Sequence, residues 1–118
     1  MSLNKEGCQP CRAGAPKSTE QEIDEYLNGL DGWELDTSTP VLKISKTFTF
    51  SKYAESLSFV NKVAVCSEEE KHHPVMLFEF RQVTVQWWTH KIEGLHLNDF
   101  IMASKCDALY ANLSVRLP

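Results

Sequence analysis

Excess positive charge is missing from this 118-residue chain: 12 lysines and arginines stand against 16 aspartates and glutamates, for a net charge of −4. The signs are interspersed and no basic stripe stands out, so neither nucleic acid nor an anionic membrane surface is an expected partner. Long apolar runs are also missing; none approaches the ~20 residues that a bilayer-spanning helix needs. The opening stretch, MSLNKEGCQPCRAGAPKST, has no apolar segment of the secretory kind. A cytoplasmic location is therefore expected, with the nucleus as a second compartment. Finger-like metal spacing is lacking as well. Cys8 and Cys11 form a C-x-x-C, but no second C-x-x-C or H-x-x-H follows, and no strand precedes it as in a thioredoxin-type site. The pair is expected to be incidental, in a flexible leader over residues 1–17. Cys66 and Cys106 fall on apolar faces of expected helices, where free cysteine behaves as a small hydrophobe.

What remains has the 42% apolar and 24% charged content of an ordinary globular domain, expected over residues 18–118. Ser18 and Thr19 precede Gln21 and Glu22 by three residues, a capping-box pattern. Ile23, Tyr26, Leu27 and Leu30 then mark one face of a first helix, which Gly29 and Gly32 stop. Trp33 and Leu35 alternate with polar residues, Asp36–Pro40 turns the chain, and Leu42, Ile44, Phe48 and Phe50 carry the period of a second strand. Lys46 breaks that alternation, at a bulge or a sheet end. Ser51 is expected to cap a second helix with apolar positions Tyr53, Leu57, Val60 and Ala64, and Phe59 and Val63 beside them. It must end near Glu70, before Pro74.

From Val75 to Thr89 the chain is β-like, but Phe78 and Phe80 lie at even positions and Val83, Val85 and Trp87 at odd ones. One strand cannot bury both sets on one face, so a tight turn near Arg81–Gln82 is expected to split the segment into a hairpin. A third helix starts near Leu97, with Met102, Cys106, Leu109 and Leu113 on one side. The order α-β-β-α-β-β-α gives an α+β fold: a four-stranded antiparallel sheet with three helices on one face. The other face or an edge is left for self-association.

Candidates for chemistry are His72, His73, His90, His96, Asp99 and the acidic run Glu68–Glu70. Three of these positions are element ends: a helix C-terminus for His72 and His73, a strand end for His90, and a helix N-terminus for Asp99. Such ends can meet at one edge of a single sheet. Histidine titrates near neutrality and so serves as general acid or base at physiological pH. At a helix–strand junction both imidazoles of the His72–His73 pair could face one cleft, and none of these residues is expected in the core.

The stretches EEEKHHP and THKIEGLHLNDF resemble the signature of the pterin-4a-carbinolamine dehydratase family. His72-His73-Pro74, Thr89-His90 and Asp99 stand at matching spacing, Glu68 occupies the acidic position, and the likeness runs from about residue 18 to 113. The chain departs from the pattern at four places. Lys71 stands where an aspartate is common, Met76 where an aromatic is usual, Trp88 where a small residue is usual, and Lys91 where glutamate is frequent. The resemblance implies dehydration of a 4a-hydroxy-tetrahydropterin to the quinonoid dihydropterin, with no redox cofactor and no metal. It implies His72 and His90 as the acid/base pair, His73 as a positioning group, and Asp99 orienting or charge-tuning a histidine. Glu68, Lys71, Trp88, Thr89 and Lys91 would lie along the pterin with the histidines. It also implies a homodimer or homotetramer and, as an alternative function, a dimerization cofactor binding transcription-factor helices. A zinc site with an open position ranks third, because adjacent His72 and His73 converge poorly on one ion.

Overall fold

Thr19 starts the fold. Its hydroxyl accepts the Glu22 N–H at 3.1 Å while the Glu22 carboxylate accepts the Thr19 N–H at 2.8 Å, completing the expected box at the head of α1 (Glu20–Asn28). After Gly29 the chain reverses through Gly32, whose φ of +81° is costly for any side chain. A Cβ there would also approach Lys46 Cε to 3.1 Å. The computed structural model describes residues 3, 7–8 and 16–116. Most of the expected leader, Cys11 included, lies outside the described residues.

The strands are β1 (Glu34–Asp36), β2 (Lys43–Thr49), β3 (Val75–Phe78) and β4 (Gln82–Trp87). They form one antiparallel sheet in the order β1-β2-β4-β3. The pairs Ile44↔Trp87 and Phe48↔Val83 set the register. Period-two alternation then puts these four side chains and Val85 on one face, all at most 2% exposed. Phe59 and Val63 of α2 (Tyr53–Glu70), Phe100, Met102 and Cys106 of α3 (Leu97–Arg116), and Ile23 of α1 join the same cluster. The helices thus share one face, and the element order is the expected one. On the opposite face Thr47 and Thr84 hydrogen-bond across the strands at 2.8 Å.

Lys46 needs neither a bulge nor a sheet end. It sits mid-strand opposite Val85, on the helix side, and reaches out of the core with its ammonium over the Phe48 ring. There it meets Asp107 Oδ1 and the Asp31 carbonyl, each at 2.9 Å. Asp107 also accepts the Trp33 indole N–H. One carboxylate of α3 therefore ties down both the anomalous lysine and Trp33, the residue before the first strand.

Three sequence expectations shift. Helix α2 begins after Lys52, and Ser51 acts indirectly: its N–H and hydroxyl both reach Glu55 Oε1 at 3.0 Å. The buried stripe of α2 is Ser56, Phe59, Val63 and Ser67, whereas Tyr53 and Leu57 are half exposed. The stripe is hard to read because its two serines hide their polarity, Ser56 donating to the Phe80 carbonyl and Ser67 to that of Val63. The hairpin turn covers Glu79–Arg81, with the Glu79 N–H on the Gln82 carbonyl, and leaves Phe80 68% exposed. Among the described residues no helix is long and apolar enough to cross a membrane.

Candidate active site

Helix α2 ends without glycine. Lys71 takes the left-handed conformation (φ 57°), its N–H bonds to the Glu68 carbonyl, and the His72 N–H reaches back to Ser67 at 3.1 Å. This is the Schellman arrangement, and Pro74 prevents any return to helix. The turn sends neighbouring side chains apart. His72 goes inward, 6% exposed, its ring stacked on Trp87 with centroids 5.6 Å apart and planes 8° from parallel. His73 goes outward, its side chain 60% exposed, and Nε2 meets Glu68 Oε1 at 2.8 Å. The two rings thus differ in burial and in partner, one set inward on Trp87 and the other on the surface beside Glu68. The His73 hydrogen bond, helped by the Lys71 and His73 charges, holds the Glu68 carboxyl below its ordinary value.

Asp99 is the centre of the arrangement and is fully buried. Its Oδ1 lies 2.6 Å from His72 Nε2. Its Oδ2 accepts the Thr89 hydroxyl at 2.8 Å and the His96 backbone N–H at 2.9 Å. A buried carboxylate without donors would cost several kcal/mol; here three donors meet it, and the first turn of α3 adds the positive end of a helix dipole. The bond to Asp99 assigns the Nε2 proton to His72, so the neutral ring carries its lone pair on Nδ1. Among the described residues nothing is bonded to that Nδ1.

Thr89 is 2% exposed, so its hydroxyl serves Asp99 rather than an open surface. An antiparallel bridge to Gly94 closes a short loop, which carries a 3₁₀ turn at His90–Ile92. His90 thus sits on that turn rather than at a strand end, and it is exposed beside the half-buried Trp88, ring centroids 4.3 Å apart. Lys71 and Lys91 are exposed as well.

The ends of α2, β4 and α3 do meet, through the buried His72, Thr89 and Asp99, and the burial of His72 is contrary to expectation. The two outward histidines each follow a buried member: His73 follows His72, and His90 follows Thr89. One participant, Trp87, is not among the candidates read from sequence, and His96, a candidate for chemistry, takes a structural role instead. Trp87 supplies the stacking platform, and His96 caps α3, its ring Nδ1 accepting the Asn98 N–H at 3.1 Å. His96 falls three residues before Asp99, a capping-box spacing, but histidine is not among the usual capping residues. The described residues hold no group of three His, Cys, Asp or Glu side chains that could grip a metal ion, so the zinc alternative finds no donor set there.

The family described as pterin 4 alpha carbinolamine dehydratase matches residues 16–109. A protein of Syntrophotalea carbinolica, provisionally named a pterin-4-alpha-carbinolamine dehydratase, is 46% identical over 107 residues, covering 91% of this chain and 96% of that one. A crystal structure titled transcriptional coactivator/pterin dehydratase, from Brucella melitensis, superposes with a TM-score of 0.75 at 29% identity, covering 80% of this chain and 99% of that one. A pterin dehydratase-like protein described as a RuBisCO assembly factor in the alpha-carboxysome gives 0.59 at 25% identity, covering 67% and 89%.

Proposed function

Because the chain belongs to the pterin 4 alpha carbinolamine dehydratase family, we propose that it removes water from a 4a-hydroxy-tetrahydropterin, giving the quinonoid dihydropterin in tetrahydrobiopterin recycling. The observation that carries this is the buried His72–Asp99 pair, 2.6 Å apart, with Nδ1 of the imidazole unengaged among the described residues. In the reaction the lone pair of the ring nitrogen pushes out the 4a-hydroxyl as the C=N bond forms. The departing oxygen needs a proton, and the nitrogen gives one up. His72, kept in one tautomer by Asp99, and His90, on the loop closed beside Thr89, form the acid/base pair. His73, held by Glu68, orients the pterin, and Lys71, Trp88, Thr89 and Lys91 frame it through side-chain or main-chain groups.

Dehydration measured with purified protein tests this directly. His90→Ala and His72→Ala should each lower the rate, by about 10²–10⁴-fold where proton transfer is the contribution lost. His73→Ala should act chiefly on KM. Near-wild-type rates in both the His72 and His90 variants would overturn the assignment. Because His72 is buried, its variant is to be compared only while circular dichroism shows it folded.

The protein self-associates as a homodimer or homotetramer. Supporting this, β3 is an edge strand with Val75 and Leu77 exposed, and Phe78 and Phe80 follow. Light scattering that finds only monomer at micromolar concentration would refute it. A second role, binding the helices of a protein partner, is favoured by one observation. Leu57, Val65, Cys66 and Leu109 line an outward groove of about 660 Å³ along α2. Binding of a labelled amphipathic helix in the absence of pterin separates that role from catalysis.

A further inference from the structure

His90 has an orientation problem that the other site residues do not share. His72 is fixed by Asp99 and His73 by Glu68. The His90 ring is exposed, and among the described residues its one ring contact is the Trp88 indole at 4.3 Å. Trp88 is itself held. The Lys43 ammonium lies 4.6 Å from its ring centroid, a cation–π distance. Lys43 pairs across the ladder with Asp36 on β1. The Ser38 hydroxyl and N–H, and more weakly Lys43, hold the Asp36 carboxyl below its ordinary value, so it faces the lysine as an anion. The alternation that turns Ile44 and Trp87 toward the helices turns Lys43 and Trp88 to the open face. A row of side chains, Asp36, Lys43, Trp88 and His90, thus crosses three strands.

We propose that Trp88, anchored by Lys43, is a positioning residue for His90, and that the row from Asp36 to Trp88 sets the angle at which His90 meets the pterin. This rests on the dehydration chemistry proposed above. An exposed imidazole samples about three χ1 wells, so losing its platform dilutes the productive one and widens the reach of the proton. Such a loss acts on kcat, because the main-chain groups of Trp88 and the other residues that frame the pterin stay in place.

The test combines kinetics with histidine-ring NMR. Trp88→Ala should lower kcat about tenfold with KM little changed, and should abolish the ring-current shift of the His90 ring protons. Trp88→Phe, which keeps an aromatic platform, should restore most of both. Lys43→Met, which leaves the indole in place and does not risk the fold, should give a smaller change in the same direction. Unchanged kcat and unchanged His90 signals in Trp88→Ala would overturn the proposal, as would a rise in KM alone, which would make the indole a side-chain contact to the pterin and not a platform for His90. If the wild type does not accelerate dehydration, the proposed function fails, while the ring shifts still decide whether Trp88 fixes His90.

Discussion

Replacing Asp99 by asparagine keeps its shape and alters its hydrogen-bond sense. The carboxylate serves two donors at Oδ2, Thr89 and the His96 N–H, and one at Oδ1, His72. An amide has one acceptor oxygen, which is better used against the pair. Its NH₂ then faces His72 Nε2, which must become the acceptor, so the ring proton moves to Nδ1. The cost to folding is that of turning charge-assisted bonds into neutral ones, about 1–3 kcal/mol in urea denaturation. The cost to catalysis is larger. Neutral His72 no longer offers a lone pair at Nδ1, so the rate should fall by about 10²–10⁴-fold, the range for a general base. Stopped-flow measurement of dehydration gives the rate, and ¹⁵N-edited spectra of the ring give the tautomer directly. Asp99→Asn with a near-wild-type rate and the Nε2–H tautomer retained would refute the reasoning, since the carboxylate would then control neither.

Lys71→Gly relieves a left-handed lysine and should stabilise the protein by about 0.5–1 kcal/mol, read as a higher urea midpoint at unchanged m-value. Phe48→Ala removes a ring 2% exposed that packs on Trp33, Phe59 and Tyr110, and should cost about 3–5 kcal/mol in the same assay. Burial pushes the Cys106 thiol far above its ordinary 9.0, although the Trp87 indole favours the thiolate. The unfolded chain therefore ionises first as pH rises, so this contribution is present below about pH 9 and lost above it. Native protein should leave Cys106 unreacted with a thiol reagent at neutral pH until urea is added.

The element order, both parities of the hairpin and the α1 capping box are legible because each is written in local pattern: period two, period 3.6, and a Thr-x-x-Glu spacing. What is not legible depends on partners distant in the chain. The buried face of α2 contains serines whose polarity is cancelled by carbonyls of their own helix and of Phe80. Lys46 looks misplaced until Asp107, from the last helix, is brought beside it. At the site, spacing identifies which residues belong together but not which of them are inside. His72 and His73 are equivalent in sequence, and only a left-handed residue without glycine to announce it divides them. The capping role of His96 is hidden in a similar way, because the cap is made by a residue type that rarely makes one.

The bridge between Thr89 and Gly94 has an evolutionary corollary. It pins both ends of the loop, and Ile92, 8% exposed, anchors its middle. His90, Lys91 and Glu93 all project outward from this frame. A segment so held behaves as an exchangeable cassette. Its outward letters can be rewritten while the carboxylate beneath stays satisfied, so new surface chemistry can be tried without dismantling the scaffold that carries it.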